Sequence, residues 1–95
     1  MESIIEQKEG HCYICNKVLP LEEHHVFYGT ANRKLSEKHG LKVRLCHNCH
    51  NEPPYGVHHN REFDTYLKQD IQQKAMTYYN WSVEDFIKIF GRSYL

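Results

Sequence analysis

The sequence predicts an α+β fold in which a unit built around paired cysteines is followed by two helices. Three observations lead to this prediction. Two Cys-x-x-Cys pairs, Cys12–Cys15 and Cys46–Cys49, are separated by 30 residues. Short stretches typical of β-strands lie between them, and two helical patterns follow residue 60. The 95 residues have the length of one domain, 1–95, with the cysteine unit at about 11–60 and the helical part at about 60–95.

Two segments between the cysteine pairs have β-strand character. His25 to Tyr28 is β-branched and aromatic and is bounded by Gly29, which predicts a short strand. Leu41 to Leu45 alternates apolar and charged residues and leads directly into the second pair. Segment 30–39 is expected to be a loop or a short helix that ends at a glycine. Residues 1–10 are expected to be a frayed or loosely helical lead-in.

The C-terminal third predicts two helices. Residues 60–79 carry apolar side chains at three-to-four spacing. Ser82 and Asp85 form a variant of the capping box before a second helix, which Gly91 is expected to end. We expect both apolar faces to form core, because a chain of this length has a thin core of its own. The apolar positions are Phe63, Tyr66, Leu67, Ile71, Ala75, Tyr78 and Tyr79 in the first helix, and Phe86, Ile87, Ile89 and Phe90 in the second.

The four cysteines predict a structural Zn2+ site formed by Cys12, Cys15, Cys46 and Cys49. Thiolates are soft ligands, and the two-residue spacing lets both sulfurs of a pair reach one ion. The second pair followed by His50 also fits a haem attachment pattern, but that requires export and leaves the first pair without a role. A redox-active dithiol is disfavoured because neither pair lies in a βαβ context.

The chain shows no signal peptide and no apolar run of the ~18 residues that span a bilayer. We therefore expect a cytoplasmic protein without a membrane partner, whose cysteines stay reduced and bind metal. The formal net charge is zero, but segment 33–44 has five basic residues and one acidic residue. This segment is either a surface for DNA phosphates or a solvated face. Its basic residues are Arg33, Lys34, Lys38, Lys42 and Arg44.

Histidine is unusually frequent, with eight in 95 residues. Neutral imidazole is a common metal ligand and also a base that titrates near neutral pH. For any single histidine, a surface or hydrogen-bonded structural role is the better interpretation. The order along the chain is more informative: a cysteine pair, His24 and His25 on a strand, a second strand, a cysteine pair and then His50. The six that lie near the cysteines or just beyond are His24, His25, His47, His50, His58 and His59.

This order resembles the HNH, or His-Me finger, endonucleases, in particular small phage-type members with a four-cysteine zinc site. The resemblance covers about residues 11–60 and implies a zinc-stabilised ββα-metal unit that binds one catalytic divalent ion. It implies that His25 is the general base, that His24 and His50 bind the ion, and that His58 is a further candidate ligand. The chain has His24 where many members have Asp, and Leu41 where an Asn is usual. The matching stretches are Cys12-x2-Cys15, His24-His25-Val26-Phe27 and Leu45-Cys46-x2-Cys49-His50.

The resemblance implies a metal-dependent DNA endonuclease that nicks DNA or cuts it with weak sequence specificity. It further implies a bacterial host cytoplasm if the gene is phage-encoded, with a phage or host protein as a further candidate partner. The catalytic ion is expected to be Mg2+ or another divalent ion; because imidazoles are softer than Mg2+ prefers, Mn2+, Ni2+ or Zn2+ is expected to bind at least as well.

Two other functions fit the sequence. One is a non-catalytic zinc-finger module that binds DNA or a protein partner. The other is a zinc-stabilised adaptor that docks a partner on its aromatic C-terminal helices. An exposed stripe of Phe86, Ile87 and Phe90 would favour the adaptor, and burial of these side chains against the long helix would count against it.

Overall fold

A two-stranded antiparallel sheet lies between the two cysteine pairs in the computed structural model, which describes residues 1–95. The predicted α+β class is confirmed, with four helices around this sheet. No helix combines the length and the apolar character needed to cross a membrane. The elements are β1 (Leu21–His25), α1 (Thr30–His39), β2 (Lys42–Cys46), α2 (His47–His50), α3 (Arg61–Tyr79) and α4 (Val83–Phe90).

Strand β1 ends earlier than the sequence predicted. Its ladder with β2 runs from Leu21 opposite Cys46 to His25 opposite Lys42. Beyond it, a single further bond of 3.1 Å joins the Val26 amide to the next carbonyl. The predicted strand over residues 25–28 is therefore wrong for most of its length. The apolar side chains of Val26 and Phe27 are buried instead, because the chain turns into the core at this point.

Segment 30–39 forms the helical alternative, α1. Gly40 ends it in the left-handed conformation with φ of 70°, which glycine adopts without steric cost. Ser36 joins α1 to the segment after β1, because its hydroxyl donates to the Phe27 carbonyl at 2.7 Å and accepts from the Phe27 amide at 3.1 Å. These bonds fix the chain just after the histidine pair of β1.

Residues 1–10 contain no helix, so the expected lead-in is wrong. The segment runs along the outer side of β2: the Ile4 amide donates to Gly40 at 2.9 Å, and the Gln7 side chain exchanges two bonds with the Arg44 backbone at 2.7 and 2.9 Å. These bonds pair part of the open edge of the sheet. Within the segment, the side chain of Ile5 is buried.

Phe27 lies at the centre of the aromatic core. Its ring centroid is 5.2, 4.9 and 5.3 Å from those of Phe86, Phe90 and Tyr94. Helix α4 has the predicted Ser82–Asp85 capping box and ends at a left-handed glycine. Of the three residues Phe86, Ile87 and Phe90, only Ile87 is exposed, so the exposed stripe that an adaptor would require is not present.

Helix α3 buries a narrower apolar stripe than the sequence indicated. Leu67, Ile71 and Ala75 are buried together with two polar residues, Asp64 and Gln72. The aromatic positions at the helix ends, Phe63, Tyr66 and Tyr78, are exposed instead. The helix turns one face toward the single apolar core, so the aromatic residues on its flanks remain in solvent.

Candidate metal centres

The first candidate centre is the four-cysteine cluster, Cys12, Cys15, Cys46 and Cys49. One sulfur from each residue lies within 4.8 Å of all the others, and all four are free thiols. The Sγ atoms of Cys15 and Cys46 are 3.8 Å apart. A tetrahedron with ~2.3 Å zinc–sulfur bonds has edges of about 3.8 Å. The four sulfurs therefore fit a tetrahedral thiolate-bound ion such as Zn2+, as the sequence predicted.

Local backbone geometry builds each half of this cluster. The first pair lies on a tight turn in which Asn16 adopts φ of 62° and the Cys12 amide donates to the Lys17 carbonyl at 3.0 Å. The second pair spans the end of β2 and the short helix α2. Burial raises the pKa of Cys12, but hydrogen bonds from backbone amides of Cys15, Cys46 and Ile14 outweigh it and lower the pKa to about 7. That shift favours the thiolate at Cys12, the form that binds zinc. Burial raises the pKa of Cys15 and of Cys49, so a bound ion would be needed to deprotonate these two thiols.

The second candidate centre, here called the three-histidine site, consists of His24, His50 and His58. One ring nitrogen from each lies within 4.8 Å of the other two. The Nε2 atoms of His50 and His58 are 3.1 Å apart. Two ligands of one ion at ~2.1 Å are about 3.0–3.4 Å apart, depending on the coordination geometry. The predicted ligand candidates thus come together at a spacing that suits one ion.

The buried member of this site is His24, which is 2% exposed. Its Nε2 atom is buried and has no hydrogen-bond partner, although buried polar atoms are nearly always paired. Burial, followed by the positive charges of His50, His58 and Lys68, lowers the pKa of His24 to about 3. The ring is therefore neutral at physiological pH, in the form that binds a metal ion.

A short loop brings His58 back to the site despite Pro53 and Pro54. The Val57 amide donates to Cys49 at 2.8 Å and the His58 amide donates to His50 at 3.2 Å. Gly56 permits this return, because a Cβ there would lie 2.7 Å from the Glu52 amide nitrogen. The second cysteine pair and the third histidine are thus joined by one folded loop.

Glu22 contacts the ring nitrogen of His50 that faces away from the three-histidine site. A carboxylate can only accept, so Nδ1 of His50 donates to Glu22 at 2.8 Å and leaves Nε2 with its lone pair toward the site. The hydrogen bond from His50 is the main cause that lowers the pKa of Glu22. Metal-binding histidines characteristically have a carboxylate on the other ring nitrogen. Sequence reasoning missed Glu22, although its position two residues before His24 places both on one face of β1.

Tyr28, Asp64 and Lys68, here called the inner triad, border the same site. The Tyr28 ring centroid lies 4.9 Å from that of His58 and 5.8 Å from that of His24. Its hydroxyl donates to Asp64 at 2.9 Å, and the Lys68 ammonium contacts the same carboxylate oxygen at 2.8 Å. Burial and then the Asp64 hydrogen bond raise the pKa of Tyr28 to about 12, so it stays a donor. No local sequence signal indicated that α3 reaches this site.

His25, the predicted general base, lies on the opposite face of β1 from His24. Its Nε2 donates to Glu37 at 2.8 Å, and Lys42 contacts the same carboxylate at 3.1 Å. In the neutral ring, Nδ1 then holds the lone pair, and no hydrogen bond uses it. Glu23 completes this group, whose ligand atoms also lie within 4.8 Å of one another. His25 is thus adjacent in sequence to His24 of the three-histidine site, but its side chain belongs to a separate cluster.

The predicted DNA-binding residues divide into two kinds. Arg33, Lys34 and Lys38 lie on α1, and Arg44 lies on β2; all four are exposed and form no ion pair. Lys42 is different, because it is 13% exposed and bound to Glu37 and Glu23. Its charge is neutralised within the fold, so the basic surface consists mainly of one side of α1.

Comparison of the chain with protein-family models, with curated proteins and with solved structures finds no match.

Proposed function

We propose that this protein is a metal-dependent DNA endonuclease of the HNH type that nicks DNA or cuts it with weak sequence specificity. The observation that carries the proposal is the three-histidine site beside the four-cysteine cluster. The unpartnered Nε2 of His24 has a lone pair free for an ion, and the exposed ring of His58 leaves the site open to solvent. Both features suit an ion that must also meet a substrate, because catalytic sites keep a position open.

The three imidazoles would hold the divalent ion, with Glu22 fixing the tautomer of His50. When bound, such an ion neutralises charge on a scissile phosphate and its leaving oxygen. Its three neutral nitrogen ligands favour Mn2+, Ni2+ or Zn2+ over Mg2+. Arg33, Lys34 and Lys38 would contact backbone phosphates, which positions a strand without reading its bases.

His25 is the general base of this proposal. Glu37 accepts from Nε2, which leaves Nδ1 able to take a proton from the attacking water. The oxygen–phosphorus bond forms, the bond to the leaving oxygen breaks, and the proton ends on Nδ1. Support comes from the position of His25 next to His24 at the end of β1, where the strand stops and the chain turns.

A plasmid-nicking assay with Mg2+, Mn2+ and Ni2+ tests the function. We expect the wild-type protein to convert supercoiled plasmid to the open circle, and His25→Ala to lose at least 100-fold in rate, since general-base catalysis contributes about 10²–10⁴-fold. Zinc content and helicity should persist in the variant. His59→Ala, an exposed histidine in the 51–60 loop, is the matched control and should cut at the wild-type rate.

One observation favours a second function, a zinc-finger module that binds DNA without cutting it. His25 faces Glu37 and Lys42 on the side of β1 opposite His24, and in that position it also has a purely structural role. The same assay separates the two functions: wild-type protein that shifts DNA in a gel but never nicks it, with any of the three ions, would establish the binding module.

A further inference from the structure

We propose that an aromatic groove beside the four-cysteine cluster binds an arginine side chain of a protein partner. The groove lies between the turn of the first cysteine pair, the 51–60 loop and α3, and it encloses a cavity of 310 Å3 that Cys49 also lines. The inference goes beyond the proposed function and depends neither on DNA cleavage nor on an ion at the three-histidine site. The groove residues that carry the argument are Tyr13, Ile14, Tyr55, Phe63, Tyr66 and Asp70.

The groove gathers apolar side chains that the core does not cover. Tyr55 and Tyr66 are 67% and 63% exposed, and Ile14 and Phe63 are also exposed. Contiguous exposed apolar surface of this kind marks interaction sites. The cavity is at the lower end of the range of ligand pockets, about 300–1,000 Å3, so it suits a single side chain.

Asp70 determines the charge of a suitable occupant, because it is the only charged residue that lines the groove. Its Oδ2 accepts from the Tyr13 hydroxyl at 2.6 Å and contacts the Lys74 ammonium at 3.4 Å. The other oxygen, Oδ1, accepts no hydrogen bond in the fold, and the side chain is half-exposed. A free carboxylate oxygen attracts a cation and repels the phosphates of a nucleic acid, which bind lysine and arginine instead.

The chain itself twice combines a tyrosine ring, a carboxylate and a cation. In the inner triad, the Lys68 ammonium lies 4.1 Å from the Tyr28 ring centroid and bonds to Asp64. The Lys74 ammonium likewise lies 5.0 Å from the Tyr13 ring centroid and contacts Asp70.

The other rings of the groove lack such a cation. No basic side chain of the chain lies over Tyr55, Phe63 or Tyr66. These rings and the free Oδ1 of Asp70 therefore provide two parts of the same combination, and a partner would supply the third.

Arginine fits this description better than lysine. Its planar guanidinium stacks on aromatic faces and is more weakly hydrated than an ammonium. The ring centroids of Tyr55 and Phe63 are 5.9 Å apart with planes inclined at 46°. A cation within about 6 Å of a ring centroid is attracted by the ring, so one guanidinium can meet both rings. Arginine and tyrosine are also among the residues that contribute most to protein–protein binding.

Titration of the zinc-loaded protein with blocked tripeptides tests the proposal, with the ring proton signals of the groove followed by NMR. We expect Gly-Arg-Gly to shift the signals of Tyr55, Phe63 and Tyr66 saturably. Gly-citrulline-Gly has nearly the same shape without the charge and should bind about tenfold more weakly, because hydrogen bonds between charged partners are the stronger ones. Gly-Lys-Gly and Gly-Leu-Gly should also bind more weakly than the arginine peptide.

Variants assign the binding to the groove. Asp70→Asn keeps an oxygen for Tyr13 and should weaken binding of the arginine peptide about tenfold, whereas Glu84→Gln, which removes an exposed carboxylate from α4, should not change it. Tyr66→Ala should weaken binding about two- to fivefold, the effect of one exposed cation–π contact. Tyr78→Ala is the matched control, because Tyr78 is nearly as exposed on the same helix but lies outside the groove.

Several outcomes would overturn the proposal. One is the absence of any saturable shift with the arginine peptide in the folded, zinc-loaded protein. Equal affinity for the citrulline, lysine or leucine peptide would show that the groove does not select a guanidinium. Shifts of the same ring signals with oligothymidylate but not with the arginine peptide would assign the groove to nucleic acid. Should Tyr66→Ala fail to fold, Phe63→Ala removes a second exposed ring and should show the same loss.

Discussion

Glu22 and Glu23 are adjacent carboxylates with different tasks. Glu22 accepts from the His50 ring at 2.8 Å, and Glu23 lies on the other face of β1 near His25 and Lys42. We expect Glu22→Gln to weaken ion binding at the three-histidine site about tenfold or more, because a neutral amide holds the His50 tautomer less firmly. Competition with a coloured chelator measures the affinity.

Glu23→Gln is the control for that change and should leave ion affinity as in the wild type. An equal loss in both variants would mean that negative charge near the sheet, and not the bond to His50, sets the affinity. Zinc content of the four-cysteine cluster should stay constant throughout, since neither glutamate contacts it.

At the residue scale, the candidate metal ligands could be predicted from the sequence, and the residues that contact those ligands could not. Cysteine spacing and the order of histidines identified the side chains that lie together. Tyr28 and Asp64 escaped prediction because the bond between them joins residues 36 positions apart, which no local pattern indicates. Glu22 carried a period-two signal, but a lone carboxylate on a strand is equally typical of a solvated face.

At the element scale, the 51–60 loop determines whether His58 belongs to the site. We expect Gly56→Ala to force the loop outward, because the new Cβ would meet backbone atoms of Glu52 and Asn51 at 2.7–2.9 Å. Overpacking of this kind costs about 1–3 kcal/mol. Ion affinity at the three-histidine site should fall about tenfold or more, and thermal unfolding with ion titration measures both effects.

His59→Ala is the control within the same loop, since its side chain is exposed and lies outside the three-histidine site. If Gly56→Ala lowers stability but leaves ion affinity intact, the loop would only connect α2 to α3, and His58 would not be a ligand.

Element prediction succeeded where local signals were strong and failed where tertiary contacts decided. The α4 capping box and the α3 boundaries follow from side chains within a few residues of each end. The N-terminal segment has no local signal for an extended path, because hydrogen bonds to Gly40 and Arg44 create it. Phe27 looked like a strand residue but leaves the ladder, since the aromatic core formed by α4 and Tyr94 binds it more favourably.

At the scale of the whole molecule, the four-cysteine cluster joins the turn after residue 11 to the end of β2 and to α2. We expect Cys46→Ser to unfold the domain at ordinary zinc concentrations. Structural zinc contributes apparent free energies of about 10–16 kcal/mol, which equals or exceeds the total stability of a small domain, about 5–15 kcal/mol. Circular dichroism and zinc content, measured on the same sample, would show both losses.

Asn48→Ala is the matched change in the same turn, because its exposed side chain forms no hydrogen bond. It should keep its zinc and its helicity. A folded Cys46→Ser protein with full zinc would show that the cluster is not the structural centre.

The cysteine cluster also has a consequence for which histidine does which chemistry. Cys46 is both a cluster member and the strand partner of Leu21. Because side chains alternate across a strand, sliding β1 by one residue would exchange the faces of His24 and His25. A metal bound at Cys46 fixes the end of β2 and so opposes that slip. Zinc bound there would then do more than hold the fold together: it would select, between two adjacent and chemically identical imidazoles, the one that can act as a ligand.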